Sequence, residues 1–246
     1  AGTLSLSCTG GTKSNLSNQD NQKAETIPED ETPVATEVIN PLPFANPPEA
    51  EDLDPASNQF KTVLRADLKR FKIHDKWVDG YAYNGHFPGP TIRVKRGDTL
   101  TIDFKNDLSN PSTIHWHGLH VPFDMDGVTW QGAPIGAGES YTYSFTLNQT
   151  GTYWYHPHFD THHQVDLGLY GLLIVEDPDE PLPTQELLWV FDSWEEEIDR
   201  RAVHDHSMID GAKLLWTVNG SLNPSIAVES GSVIRARMVN VSNAGY

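Results

Sequence analysis

A chain of 246 residues, 37% of them hydrophobic, is long enough to bury one or two cores. No apolar run in it approaches the ~20 residues that a membrane-crossing helix needs. The formal charge of -17 argues against nucleic acid as a partner, because phosphate recognition needs clustered Lys and Arg. A single cysteine, Cys8, excludes an internal disulfide and any Cys-x-x-Cys metal site within these residues.

The charge is unevenly spread. Before Asn58, acidic residues recur from Asp20 to Asp54 against only Lys13 and Lys23, so much of the acidity belongs to a leader. Residues 1–58 show no apolar period, and Pro41, Pro43, Pro47, Pro48 and Pro55 oppose a regular helix or ladder. The composition predicts a disordered tether. Within it, Leu4-Ser5-Leu6-Ser7-Cys8 reads as the tail of an export signal with Cys8 as a lipid-attachment residue. The alternative is an isolated cysteine in a polar leader.

From about Phe60 the pattern changes to short strands between turn residues. The predicted strands are Lys61–Ile73, Trp77–Tyr83, Thr91–Lys95, Thr99–Asn106, Ser112–Gly118, Ser140–Leu147, Thr152–His156 and Gly171–Glu176. Thr99 to Phe104 alternates polar with apolar residues, as a half-buried strand does, and Tyr141 to Phe145 repeats the pattern. No convincing amphipathic helix interrupts the series. An antiparallel sandwich or barrel is expected.

An internal repeat follows. Asn84-Gly85, Pro90, Gly97 and Asn106 have counterparts in Asn219-Gly220, Pro224, Gly231 and Asn240. The intervals from Pro to Gly and from Gly to Asn match in the two copies, so the same β-domain is expected to begin twice. The second copy reaches Tyr246 well before the length of the first, and a cut second domain is expected.

Two histidine pairs carry the chemistry: His115-Trp116-His117-Gly118 and His156-Pro157-His158. Residues i and i+2 of an extended segment face one side, about 6–7 Å apart. That spacing suits two neighbouring ions, each taking one ring, better than chelation of one ion by both. Trp116 is expected to anchor the first pair in the core, and Tyr153-Trp154-Tyr155 the second. Four imidazoles without a thiolate or carboxylate among them suit copper better than magnesium, calcium or iron. Zinc is the sharper competitor, since His115, His117 and His120 have the spacing of a hydrolase HxHxDH motif. Leu119 stands where that motif needs its Asp, which removes the second-zinc ligand and proton acceptor.

The stretches Asn84 to Ile92 with Gly97-Asp98, Ile114 to Leu119, Met125-Asp126-Gly127, Gly151 to His158 and Gly168 to Glu176 together resemble the first cupredoxin domain of multicopper oxidases. Trp216 to Gly220 through Asn240 to Ala244 resembles the opening of domain two in three-domain, laccase-like members. The resemblance implies an all-β, cupredoxin-like Greek-key β-sandwich over 59–180 and the start of a second over 181–246. It makes His115 a ligand of a type-2 copper and His117, His156 and His158 ligands of a type-3 pair. Asp126 matches a family carboxylate that assists proton delivery to oxygen, against the plainer reading of an Asp-Gly turn.

As the family works, a reducing substrate, either a small organic molecule or a metal ion, loses electrons one at a time at a type-1 copper. Dioxygen becomes water at the trinuclear centre. The type-1 site belongs to a last domain that these residues do not include. A copper-binding module for storage or resistance, without catalysis, is the alternative; copper nitrite reductase shares the fold but not two such motifs in one domain. The leader and the handling of copper outside the cytoplasm imply the periplasm, the cell surface or secretion. His162-His163, His204 and His206 are expected in solvated loops, and Glu195-Glu196-Glu197 as a solvated charge run.

Overall fold

The computed structural model describes residues 2–5, 43–73, 76–132, 134–181, 183, 185–195 and 214–242. Cys8, His74, His204, His206, Met208, Glu196 and Glu197 lie outside the described residues.

Strands β2 (Gln59–Ile73), β3 (Lys76–Tyr83), β5 (Thr99–Asn106) and β7 (Ser140–Thr146) form one sheet in the order β3-β2-β5-β7. Strands β4 (Gly89–Lys95), β6 (His115–His117), β8 (Gly151–His156) and β9 (Gly171–Glu176) form its partner in the order β4-β9-β8-β6. The two sheets close a cupredoxin-like Greek-key sandwich. In β5 the buried positions are Leu100, Ile102, Phe104 and Asn106, as the alternation predicts. They meet Trp116, Tyr143 and Tyr155 in the core, where each aliphatic side chain stabilises by roughly 1.5–3 kcal/mol.

The sheets are mixed, not purely antiparallel as the strand pattern predicted. β2 runs parallel to β5, and β4 parallel to β9. The reason is connectivity: after the β2–β3 hairpin the chain crosses to the second sheet as β4 and returns as β5, which reaches β2 in the same direction.

A third sheet, β11-β10-β13, contains β10 (Gln185–Glu195), β11 (Leu214–Val218) and β13 (Ile234–Asn240). It repeats the first three-strand unit. β10 pairs antiparallel with β11 and parallel with β13, as β2 does with β3 and β5. Both Asn-Gly turns have positive φ at both residues. The Asn84 side chain accepts from Arg65 N–H and donates to the Val63 carbonyl. Asn219 accepts from Val190 N–H and donates to the Leu188 carbonyl in the same manner. The matched intervals in sequence therefore correspond to matched hydrogen bonds.

The third sheet covers the outer face of the second. Tyr170, Leu172 and Ile174 join Leu188, Val190 and Val241 in a separate buried cluster. This explains why Gly171 to Val175 is buried at every position: one face of β9 serves the sandwich and the other serves this cluster. Strand β10 was not among the predicted elements.

The tether prediction does not describe residues 43–58. Ala50 N–H donates to the Thr91 carbonyl at 2.8 Å, and Thr91 N–H donates to the Pro48 carbonyl at 2.7 Å. Asn46 accepts from Leu188 N–H at 2.8 Å, and Asn219 donates to the Ala45 carbonyl at 2.8 Å. These prolines interrupt regular pairing yet leave single bridges that lace the segment to both sheets. Upstream, β1 (Gly2–Ser5) pairs antiparallel with β12 (Ser225–Val228).

Candidate metal centre

The first histidine pair sits on β6, which is shorter than the predicted Ser112–Gly118. Ahead of it, Ile114 N–H donates to the Tyr143 hydroxyl, and the Thr113 hydroxyl accepts from His158 N–H. These side-chain bonds replace ladder bonds, so regular pairing is confined to three residues. There His115 faces His156, Trp116 faces Tyr155 and His117 faces Trp154. Trp116 and Tyr155 are fully buried on the core side, as predicted for Trp116. The imidazoles occupy the opposite side.

All four rings converge. Ring centroids of His115 lie 5.8 Å from His117, 5.3 Å from His156 and 5.1 Å from His158. His117 and His156 are 5.5 Å apart, with Nδ1 of the former 3.3 Å from Nε2 of the latter. One nitrogen each from His115, His117 and His156 can be chosen so that all lie within 4.8 Å of one another. His158 is near the same group through His115, and its ring also meets Trp130 edge-on at 5.8 Å.

Hydrogen bonds set the tautomers. Nδ1–H of His115 donates to the Asp126 carbonyl at 2.9 Å, and Nδ1–H of His156 to the Pro157 carbonyl at 2.8 Å. Each bond leaves Nε2 as the nitrogen that carries the lone pair, and that of His156 faces Nδ1 of His117. Burial pulls the His156 pKa down to about 3, against an opposing hydrogen bond to Pro157 and with help from the three neighbouring imidazoles. Burial also lowers the pKa of His117, and His115 and His158 add to the effect. Neutral rings are the form that binds a metal. A cluster of nitrogen donors with no thiolate, close enough together for neighbouring ions, fits copper.

The loop carrying Asp126 is tied to the site by three consecutive carbonyls. Asp124 accepts from the Tyr141 hydroxyl, Met125 from Trp116 Nε1–H and Asp126 from His115. The Asp126 carboxylate also stands 3.1 Å from Nδ1 of His115. Gly127 makes the turn possible: its φ is +69°, and an added Cβ would overlap the Ile114 carbonyl.

Two sequence expectations change here. His162 and His163 are not in a solvated loop but on helix α1 (Thr161–Asp166). His163 is buried, edge-on to Tyr81 at 6.3 Å, whereas His162 lies 3.3 Å from Asp160. The aromatic anchor of the second pair also divides: Tyr153 and Tyr155 serve the core, but Trp154 lies on the histidine side, stacked on His156. The i, i+2 rule that placed the histidines together applies equally to Trp154 and His156. It was the signal for that contact.

Residues 68–180 match the family model described as multicopper oxidase. The chain is 39% identical over 153 residues to "Multicopper oxidase MmcO" of Mycobacterium tuberculosis, covering 61% of this chain and 30% of that protein. It is 45% identical over 103 residues to "Copper resistance protein A" of Escherichia coli, covering 41% of this chain and 16% of that one. Among solved structures, a multi-copper oxidase from Pseudomonas thermotolerans superimposes with a TM-score of 0.68 at 30% identity, over 76% of this chain and 47% of that one. The chain thus spans under a third of the length of those two curated relatives. The stretch that carries the four histidines, residues 68–180, is thus of the multicopper oxidase family.

Proposed function

We propose that this chain supplies His115 to a type-2 copper and His117, His156 and His158 to a type-3 pair, forming one side of a trinuclear centre. The convergence of four imidazoles from β6 and the end of β8 carries this reading. Residues 59–180 would form the first cupredoxin domain and 181–246 the opening of a second. In the whole protein the activity would be laccase-like: one-electron oxidation of a small organic molecule or metal ion, coupled to four-electron reduction of dioxygen to water. Copper, when bound, would supply the one-electron redox chemistry and the place where dioxygen is reduced.

The residues of this chain would perform three tasks. The Asp126 and Pro157 carbonyls hold His115 and His156 in the tautomers that direct Nε2 to the metal. Trp116 and Tyr155 lock the paired strands from the core side, so the imidazoles keep their spacing. The Asp126 carboxylate, partly exposed beside His115, would hold a proton at the edge of a centre whose reaction would consume protons. An extracytoplasmic location, with Cys8 as a lipid anchor, agrees with the export-like leader and completes the proposal.

Cu(II) titration of the chain, with His115, His117, His156 and His158 each replaced by Ala, tests the ligand set. Loss of bound copper in each variant is expected; full retention in all four contradicts it. A second reading, a copper binder without catalysis, rests on the imidazole cluster alone. Oxygen uptake by the full-length protein with phenolic, cuprous or manganous donors separates the two. Uptake with any donor supports the oxidase, and copper binding with no uptake supports the binder.

A further inference from the structure

The faces of β8 point to two different interiors. Tyr153 and Tyr155 serve the core of the first sandwich, and the Tyr155 hydroxyl donates to the Pro90 carbonyl at 2.6 Å. The other face carries Thr152, Trp154 and His156 in succession. Thr152 accepts a hydrogen bond from Arg237 of β13 at 2.8 Å. Trp154 packs on the cluster that Leu172 and Ile174 form with Leu188, Val190 and Val241 of the third sheet. His156 enters the metal centre. A single strand face therefore runs from the contact between sheets to the candidate ligands.

Trp154 touches two of those ligands at once. Its indole stacks on the His156 ring at 4.0 Å with planes 26° apart, and lies 5.0 Å from the His117 ring at 35°. Ring nitrogens of His115 and His156 are tied to main-chain carbonyls. Among the described residues, the His117 ring hydrogen-bonds to His156 itself. Among the described residues, no carbonyl or carboxylate gives His117 the tether that ordinarily fixes a metal-binding imidazole. A flat aromatic wall, seated on a buried cluster, can restrain a ring whose hydrogen bond is to another ligand ring.

We propose that Trp154 is a positioning residue that sets the planes of His117 and His156 and makes their geometry depend on how the third sheet is seated. The proposal rests on the reading of these histidines as copper ligands. It adds a route by which packing between the sheets reaches the metal. Trp154 takes no part in electron or proton transfer in this role.

The test uses three variants in the metal-free and Cu(II)-titrated chain. Trp154→Phe keeps an aromatic face, Trp154→Leu keeps apolar bulk without one, and Thr152→Val removes the Arg237 bond without touching an imidazole. In metal-free protein, histidine ring NMR should show sharp, ring-current-shifted His117 and His156 signals. Trp154→Leu should broaden and move them, and Trp154→Phe should largely restore them. Cu(II) affinity should fall by roughly 10- to 100-fold in Trp154→Leu, the size seen when support around a metal ligand is lost. The Cu(II) electron paramagnetic resonance spectrum should broaden with it. Thr152→Val should produce smaller changes of the same sign. Unaltered ring signals and affinity in Trp154→Leu would overturn the positioning role, and an unaltered Thr152→Val would overturn the dependence on the third sheet. Should the parent chain take up no Cu(II), the ligand reading fails, while the metal-free ring signals still decide what Trp154 does.

Discussion

Nδ1 of His115 faces Asp126 twice, at 2.9 Å from its main-chain carbonyl and 3.1 Å from its carboxylate. The two contacts separate holding the ring from moving a proton. Asp126→Asn keeps the main-chain contact and removes the titrating group. Copper content should therefore be retained, while oxygen reduction by the full-length protein should fall by about 100-fold or more, the range for a lost proton-transfer group. Metal analysis beside oxygen uptake checks this; equal turnover with equal copper would assign Asp126 to the turn alone.

Gly127→Ala acts on the same loop through sterics. The positive φ and the overlap with the Ile114 carbonyl both oppose the new methyl group. A destabilisation of about 1–3 kcal/mol is expected, with weaker Cu(II) binding because the Asp126 carbonyl is displaced. Thermal unfolding with and without Cu(II) measures both.

Metal-free stability should depend on pH through His156. Its folded pKa is lowered to about 3, whereas an unfolded histidine titrates near ~6.5. The unfolded chain binds the extra proton between these values. Stability from the neutral, buried ring is thus fully present above ~6.5 and lost as pH falls towards 3, by a few kcal/mol in all. Urea unfolding across that window should show the decline, and His156→Phe should flatten it. An equal slope in the variant contradicts the assignment.

Arg93 pairs with Glu49 of the leader segment, Glu176 of β9 and Glu186 of β10. Glu176 and Glu186 are largely buried, and Arg237 reaches Glu186 from the other side. Arg93→Met should destabilise by about 1–3 kcal/mol, since it leaves carboxylates poorly compensated. Arg93→Lys should not restore the loss, because a point charge cannot reproduce a three-way fork. Faster proteolysis within residues 43–58 would accompany the change.

Much of this fold is legible in the sequence. The alternation in β5 and the Asn-Gly repeat depend on local periodicity and turn chemistry, which sequence expresses directly. The histidine pairs followed from the same two-residue period. What escaped depends on contacts between distant segments. β10 reads Gln-Glu-Leu-Leu-Trp-Val-Phe-Asp, without the clean alternation of β5, because the neighbouring sheets bury much of it. Helix α1 is too short to show a period, and its buried His163 and Gln164 look polar in isolation. The bridges of residues 43–58 join acceptors and donors more than a hundred residues apart, such as Asn46 and Leu188.

Colour offers a simple check on the metal chemistry. The chain has one thiol, Cys8, in the leader, and the candidate centre consists of imidazoles. The Cu(II)-loaded chain should lack the intense blue absorption of a copper–thiolate bond. A strong blue colour would mean that copper binds elsewhere.

Anomalous diffraction at the copper edge, from crystals of the copper-loaded protein, tests the ligand assignment most directly. Copper peaks should lie among the imidazoles of His115, His117, His156 and His158, with Nε2 of His115 and His156 directed at metal. Copper found only at other histidines, or those four rings left without a peak, would contradict the account.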